Sequence, residues 1–279
     1  MSYKAEISRA APTAILMVID QSTSMSYRLQ DGQTKASFLA DVLNRTLYTL
    51  ITNCSKADGV RDYFYVGVIA YSGTGSRNGF TGLLGREPLN AISKIEAMPV
   101  RIESRSKKIF GTDDEIISRD VKFPIWFDAK SGGKTSMCAG LTAAIRVLGD
   151  WCSLHSNSFP PTVLHITDGH PTDGDPEPIA EQIKSISTED GNCLLFNLHV
   201  DVGLGSAITF PNEVSVLKDR YSKALFRMSS VLPPHAHNAA RAKGYDVRPG
   251  ARGFVYNAGI EAIVDFFDIG TRPAAYGNR

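Results

Sequence analysis

The chain has 279 residues, 43% of them apolar, with 30 lysines and arginines against 29 aspartates and glutamates and only 4 cysteines. These values describe an ordinary globular protein with enough chain for a sizeable core, and they exclude a disordered chain. No run approaches the roughly 18 to 20 apolar residues that a spanning helix needs, and a formal charge of +1 gives no general attraction to polyanions. No local basic patch replaces that attraction, so neither nucleic acid nor a membrane is expected as a partner.

The N-terminal residues are polar, and the short apolar stretch that follows ends in an acid, unlike an export signal. Cys54, Cys138, Cys152 and Cys193 form no CxxC pair and no Cys/His metal spacing, so all four read as reduced and structural. A cytoplasmic location is expected from both features.

Residues 14–19 form a wholly apolar run, as a central parallel strand covered on both faces requires, and the run stops at Asp20. From Phe38, the apolar positions Leu39, Val42, Leu43, Leu47, Leu50, Ile51 and Cys54 recur at helical spacing, which predicts about five turns of helix with one buried stripe. A strand over 63–70 follows. A short antiparallel edge strand is expected at 80–84, among closely spaced glycines. The segment 101–119 mixes charges of both signs with little apolar periodicity and reads as an exposed insertion, within bounds of about 100–120. A helix is predicted over 136–151, where Ala139, Gly140, Ala143 and Ala144 allow close approach to a sheet.

Residues 163–167 form the next strand, ending at Asp168, and Asp175 before Pro176 marks a helix start carrying Ile179, Ile183 and Ile186. A strand at 193–200, a helix at 214–228, a short strand at 253–256 and a closing helix at 260–267 complete the series; Ile263, Val264 and Phe267 share one face of the last. Alternating strands and helices predict an α/β fold: a mostly parallel central sheet with one antiparallel edge strand and helices on both faces. A single domain is expected over residues 1–279, with its core at about 13–267.

After the first strand the sequence reads Asp20-Gln21-Ser22-Thr23-Ser24-Met25, with a carboxylate and two hydroxyls at alternate positions. In an extended chain these three face one side, at the carboxyl end of a strand where open α/β sheets place their ligand sites. Thr135, in a glycine-rich turn before a helix, and Asp168, at a second strand end, add two donors of the same kind. Oxygen donors without histidine or cysteine suit Mg²⁺ or another hard divalent ion, Mn²⁺ or Ca²⁺ among them.

These loops resemble those of a von Willebrand factor A (VWA) domain. In that family a DxSxS motif, a threonine after a Gly-Gly turn and a later strand-end aspartate form the metal-ion-dependent adhesion site. The matching residues are Asp20, Ser22 and Ser24, then Thr135 of Ser131-Gly132-Gly133-Lys134-Thr135, then Asp168 of Ile166-Thr167-Asp168-Gly169. The resemblance implies a Rossmann-like three-layer sandwich. It also implies that Ser22, Ser24 and Thr135 act as direct or water-linked ligands, with Asp20 and Asp168 supplying negative charge and a partner protein's acidic side chain taking the open position. Gln21 and Lys134 depart from the usual pattern without removing a donor. By analogy with small cytoplasmic bacterial members associated with tellurite-resistance or stress operons, the implied partners are a phosphatase, a kinase or an AAA-type ATPase from the same operon.

Two enzyme readings compete with this one. Gly133, Lys134 and Thr135 resemble the end of a nucleotide-binding P-loop, but Asp128 stands where the first glycine of that motif is needed. A metal-dependent hydrolase would draw on His165, His170, Asp168 and Asp173. His165 lies inside an apolar strand and reads as a hydrogen-bonded core residue, whereas His170 lines the rim. Asp173 and Asp175 read as turn and cap residues. His235 and His237 are expected in a surface loop without a third ligand. No nucleophile, base and orienting group come together, so no catalytic residue is assigned and a non-catalytic protein is expected.

Overall fold

Alternation along the first strand decides how the molecule is layered. In β1 (Thr13–Asp20), Ile15, Met17 and Ile19 enter one apolar core while Ala14, Leu16 and Val18 enter another, so both faces of the strand are covered. The structure, a computed structural model, describes residues 3–29, 31–73, 75–110, 116–200 and 207–271. In chain order, β1 is followed by α1 (Lys35–Cys54), β2 (Phe64–Ser72), β3 (Gly75–Asn78), β4 (Asn90–Ala91) and α2 (Ile92–Ala97). Then come β5 (Arg101–Phe110), β6 (Ile116–Ile125), α3 (Met137–Leu154), β7 (Thr162–Thr167), α4 (Glu177–Ser185) and β8 (Leu194–Val200). The chain continues through β9 (Ile208–Thr209), α5 (Arg220–Met228), α6 (Pro234–Ala242), β10 (Phe254–Ala258) and α7 (Ile260–Thr271).

The sheet runs β9-β10-β8-β7-β1-β2-β3, with β4 also paired to β2. Pairing is parallel from β10 through β2 and antiparallel at β3, β4 and β9. This is the expected α/β sandwich. One core packs α1, α6 and α7 against the sheet through residues such as Leu43, Leu47, Ala240 and Phe267; the other packs α3, α4 and α5 through Leu141, Leu148, Ile183 and Leu225. Among the described residues no helix is long and apolar enough to cross a membrane.

Several local expectations change. The antiparallel edge beside β2 is Gly75–Asn78, not 80–84, because Asn78 turns the chain: its carboxamide accepts from Phe80 N at 3.0 Å and its Nδ2 donates to Glu87 O at 2.7 Å. The segment 214–228 is broken, since Asp219 caps a new helix by accepting from Ser222 N at 2.8 Å. His235 and His237 lie on α6, which Pro234 opens, rather than in a loop. On α7, Ile263 and Phe267 are buried, but Val264 is 45% exposed, so the buried stripe runs to one side of it.

The segment read as an insertion is a β-hairpin, with β5 and β6 paired from Arg101↔Ile125 to Phe110↔Ile116; residues 111–115 of that reading lie outside the described residues. Its charges alternate at strand spacing. Arg101 and Arg105 both pair with Glu103, and Arg105 also pairs with Asp41 of α1 while lying 4.1 Å from the Phe123 ring centroid. At the base, Val100 N donates to Ile125 O at 2.7 Å. Asn44 of α1 locks the exit: its Oδ1 accepts from Trp126 N and Phe127 N at 2.8 and 3.0 Å, and its Nδ2 donates to Phe127 O at 2.8 Å.

Candidate metal centre

One loop leaves the carboxyl end of the central strand β1, a second runs from the β5–β6 hairpin to α3, a third leaves the carboxyl end of β7, and backbone hydrogen bonds stitch them together. After β1, Gln21 N donates to Tyr71 O and Gly132 N donates to Gln21 O, both at 2.9 Å. Thr23 N donates to Gly133 O at 2.9 Å, Gly73 N to Lys134 O at 2.9 Å, and Thr172 N to Thr135 O at 2.9 Å. Gly133 has φ +79°, and a side chain there would meet the Gly73 backbone at 2.8 Å, so this crossing requires glycine.

Asp173 fixes the third loop against α3. Its two oxygens accept from Cys138 N and Ala139 N at 3.1 and 2.9 Å, satisfying orphan donors at that helix start. The residue read from the sequence as a turn residue thus also caps a distant helix. Asp175 likewise accepts from Glu177 N at 3.0 Å at the start of α4.

The side chains expected to act together do come together. Ser22 Oγ and Ser24 Oγ are 3.1 Å apart, and Ser24 Oγ donates to Asp168 Oδ1 at 2.6 Å. A Cβ placed on Gly169 would lie 3.2 Å from Thr135 Oγ1 and 3.7 Å from Ser24 Oγ, so the hydroxyls of the first and second loops flank one small space beside the third. Asp20 is 1% exposed; its Oδ1 accepts from Ser22 N and its Oδ2 from Thr167 Oγ1, both at 2.8 Å. Burial raises its carboxyl above the usual carboxylate range, and hydrogen bonds from Ser22 and Thr167 oppose that rise. Three hydroxyls and two carboxylates form a hard-oxygen set that fits a divalent ion such as Mg²⁺.

Gln21 turns away from this set and accepts from the Arg77 guanidinium of β3. Lys134 is exposed, with its carbonyl committed to Gly73. The cation that does enter the centre is Lys35, which the sequence reading did not single out: its Nζ donates to Asp168 Oδ2 at 2.9 Å and to Val200 O at 3.3 Å. A signal was present, because a lysine directly after the cap Thr34 stands at the positive end of a helix, where a cation is unfavourable without an anion nearby.

Beneath the centre lies a buried polar chain. Asn197 Nδ2 donates to Ser229 Oγ at 2.9 Å, leaving Asn197 Oδ1 to accept from His165 Nδ1 at 2.7 Å; His165 Nε2 then accepts from the Tyr71 hydroxyl at 2.9 Å. Burial lowers His165 to about 4, which favours the neutral imidazole that these bonds require. His165 is a core residue, as expected. His170 is exposed on the rim, its ring 4.3 Å from that of Tyr221, beside a cleft of about 520 Å³ that Asp175, Glu177 and Asp219 also line.

Fold and site together define an α/β sandwich with a crest of hydroxyls and carboxylates at the carboxyl edge of its parallel strands. No protein-family model matches the chain, and no curated protein does. Among solved structures, the SpRpn10 VWA domain is similar at 12% identity and a TM-score of 0.42, covering 78% of this chain and 83% of that one. VWA2, the ArnB paralog from Sulfolobus acidocaldarius, is similar at 13% identity and a TM-score of 0.36; 68% of this chain is covered, which spans 35% of that chain. The PilB minor pilin from Streptococcus sanguinis is similar at 12% identity and a TM-score of 0.42, over 92% of this chain and 60% of that one.

Proposed function

We propose that this chain is a non-catalytic interaction module whose binding of a protein partner depends on a divalent ion held by Asp20, Ser22, Ser24, Thr135 and Asp168. The observation that carries this reading is the convergence of hydroxyls from separate loops beside the Asp168 carboxylate. When bound, Mg²⁺ (or Mn²⁺ or Ca²⁺) supplies a positive field with an open position for a partner's carboxylate. The chain's own part is to hold the hydroxyls in place by loop stitching and to present His170 on the rim. A bacterial stress setting of the tellurite-resistance kind, a cytoplasmic location and a phosphatase, kinase or AAA-type ATPase partner belong to the same proposal.

Nucleotide binding is less well supported. The amides of Cys138 and Ala139, which a phosphate at the start of α3 would use, are already taken by Asp173. The test is capture of partners by tagged protein in Mg²⁺, in EDTA, and with Ser22→Ala/Ser24→Ala. Capture of one protein only by the intact chain in Mg²⁺ supports the proposal; capture indifferent to both ion and serines overturns it.

A further inference from the structure

The centre contains a cation that belongs to the chain. Lys35 is the first residue of α1, and its side chain is 5% exposed, while that of Asp168 is wholly buried. A buried ammonium is tolerated only when paired and hydrogen-bonded. Asp168 Oδ2 and the carbonyl of Val200, at the end of β8, meet that need. The same carboxylate uses its other oxygen, Oδ1, to hold the Ser24 hydroxyl. One aspartate therefore joins the hydroxyl cluster to an internal positive charge.

The geometry points to Lys35 as a resident counter-cation that sets the divalent-ion affinity of this centre, keeping it weak and keeping the chain folded when no ion is bound. The inference rests on the proposed ion site and adds its regulation. Asp20 and Asp168 together bring two negative charges, and Lys35 cancels one of them. A divalent ion among these hydroxyls is attracted by half the charge the carboxylates alone would offer, and it shares Asp168 with an ammonium of like sign. In return, Asp168 never stands as an uncompensated buried charge, so removal of the ion leaves the loops assembled. Without Lys35 the balance reverses: the centre attracts the ion more strongly and depends on it.

Calorimetric titration of the full chain with MnCl₂ and MgCl₂ tests this for wild type, Lys35→Met, Lys35→Gln and Lys35→Arg, with thermal melts of each in EDTA and in Mg²⁺. Lys35→Met and Lys35→Gln are expected to bind Mn²⁺ at least about tenfold more tightly than wild type. Both should melt lower in EDTA and recover in Mg²⁺, while wild type and Lys35→Arg should show a smaller difference between the two conditions. Adding Ser22→Ala/Ser24→Ala to Lys35→Gln should abolish the gain. If Lys35→Met does not fold, Lys35→Gln, whose amide still donates to Asp168, carries the comparison. Affinity that is unchanged or weaker in the neutral variants, or a gain that survives loss of the serines, overturns the role of Lys35 alone. Absence of ion binding in every variant overturns the ion site itself, and this inference with it.

Discussion

Thr167, the last residue of β7, donates its hydroxyl to Oδ2 of Asp20, the last residue of β1, at 2.8 Å. Two neighbouring parallel strands thus end in a shared hydrogen bond, and Asp20 reaches the crest already oriented by it and by the Ser22 amide. Thr167→Val keeps the shape and removes the donor from a buried carboxylate. It should destabilise the protein by about 2 kcal/mol, read from urea unfolding. A variant as stable as wild type would show that this bond adds nothing.

Acid should weaken the fold through two histidines. Burial lowers both His165 and His235 to about 4, whereas an unfolded histidine titrates near 6.5. Between these values the unfolded chain binds more protons. Stability present at pH 7 is therefore lost as pH falls from about 6.5 towards 4, with a slope approaching about 1.4 kcal/mol per pH unit for each histidine. His165→Gln, whose amide can still meet Tyr71 and Asn197, should remove roughly half of that slope. A stability profile flat across this window contradicts both assignments.

Gly140 places α3 directly on β2. A Cβ there would meet the Tyr71 ring at 2.5 Å, and the Tyr71 hydroxyl is tied to His165. Gly140→Ala should destabilise by about 1 to 3 kcal/mol through overpacking, visible as a lowered melting temperature. An alanine variant that melts at or above wild type would mean that α3 can shift away without penalty.

Asn44→Ala should cost about 3 kcal/mol, because it strips the Trp126 and Phe127 amides of their buried acceptor in one step. Amide hydrogen exchange should rise first at those two residues. Unchanged protection there would place the hairpin's anchor elsewhere, in the Arg105 contacts.

The parts legible in sequence were those fixed by local periodicity. The uniform apolar run of β1 required cover on both faces, and the ends of β1 and β7 placed Asp20 and Asp168 on one edge of the sheet. The hairpin was misread because its period-two signal is carried by charges; Arg101, Glu103 and Arg105 resemble a solvated loop until each is paired. α6 was missed because proline and histidine hide its small apolar stripe of Ala236, Ala239 and Ala240. Lys35 escaped for a different reason: Asp168 lies 133 positions further along the chain, and no local pattern relates them.

The strands of the β5–β6 hairpin pair only with each other among the described residues, and the two ends of the hairpin meet at its base, where Val100 N donates to Ile125 O at 2.7 Å. Chain ends this close can be rejoined by a tight turn. The hairpin is thus a self-paired unit: its length beyond the Arg105–Asp41 contact can change while Asn44 and the Trp126 side of the core stay where they are. Diversity can accumulate at that position without disturbing the crest, which is assembled from other loops.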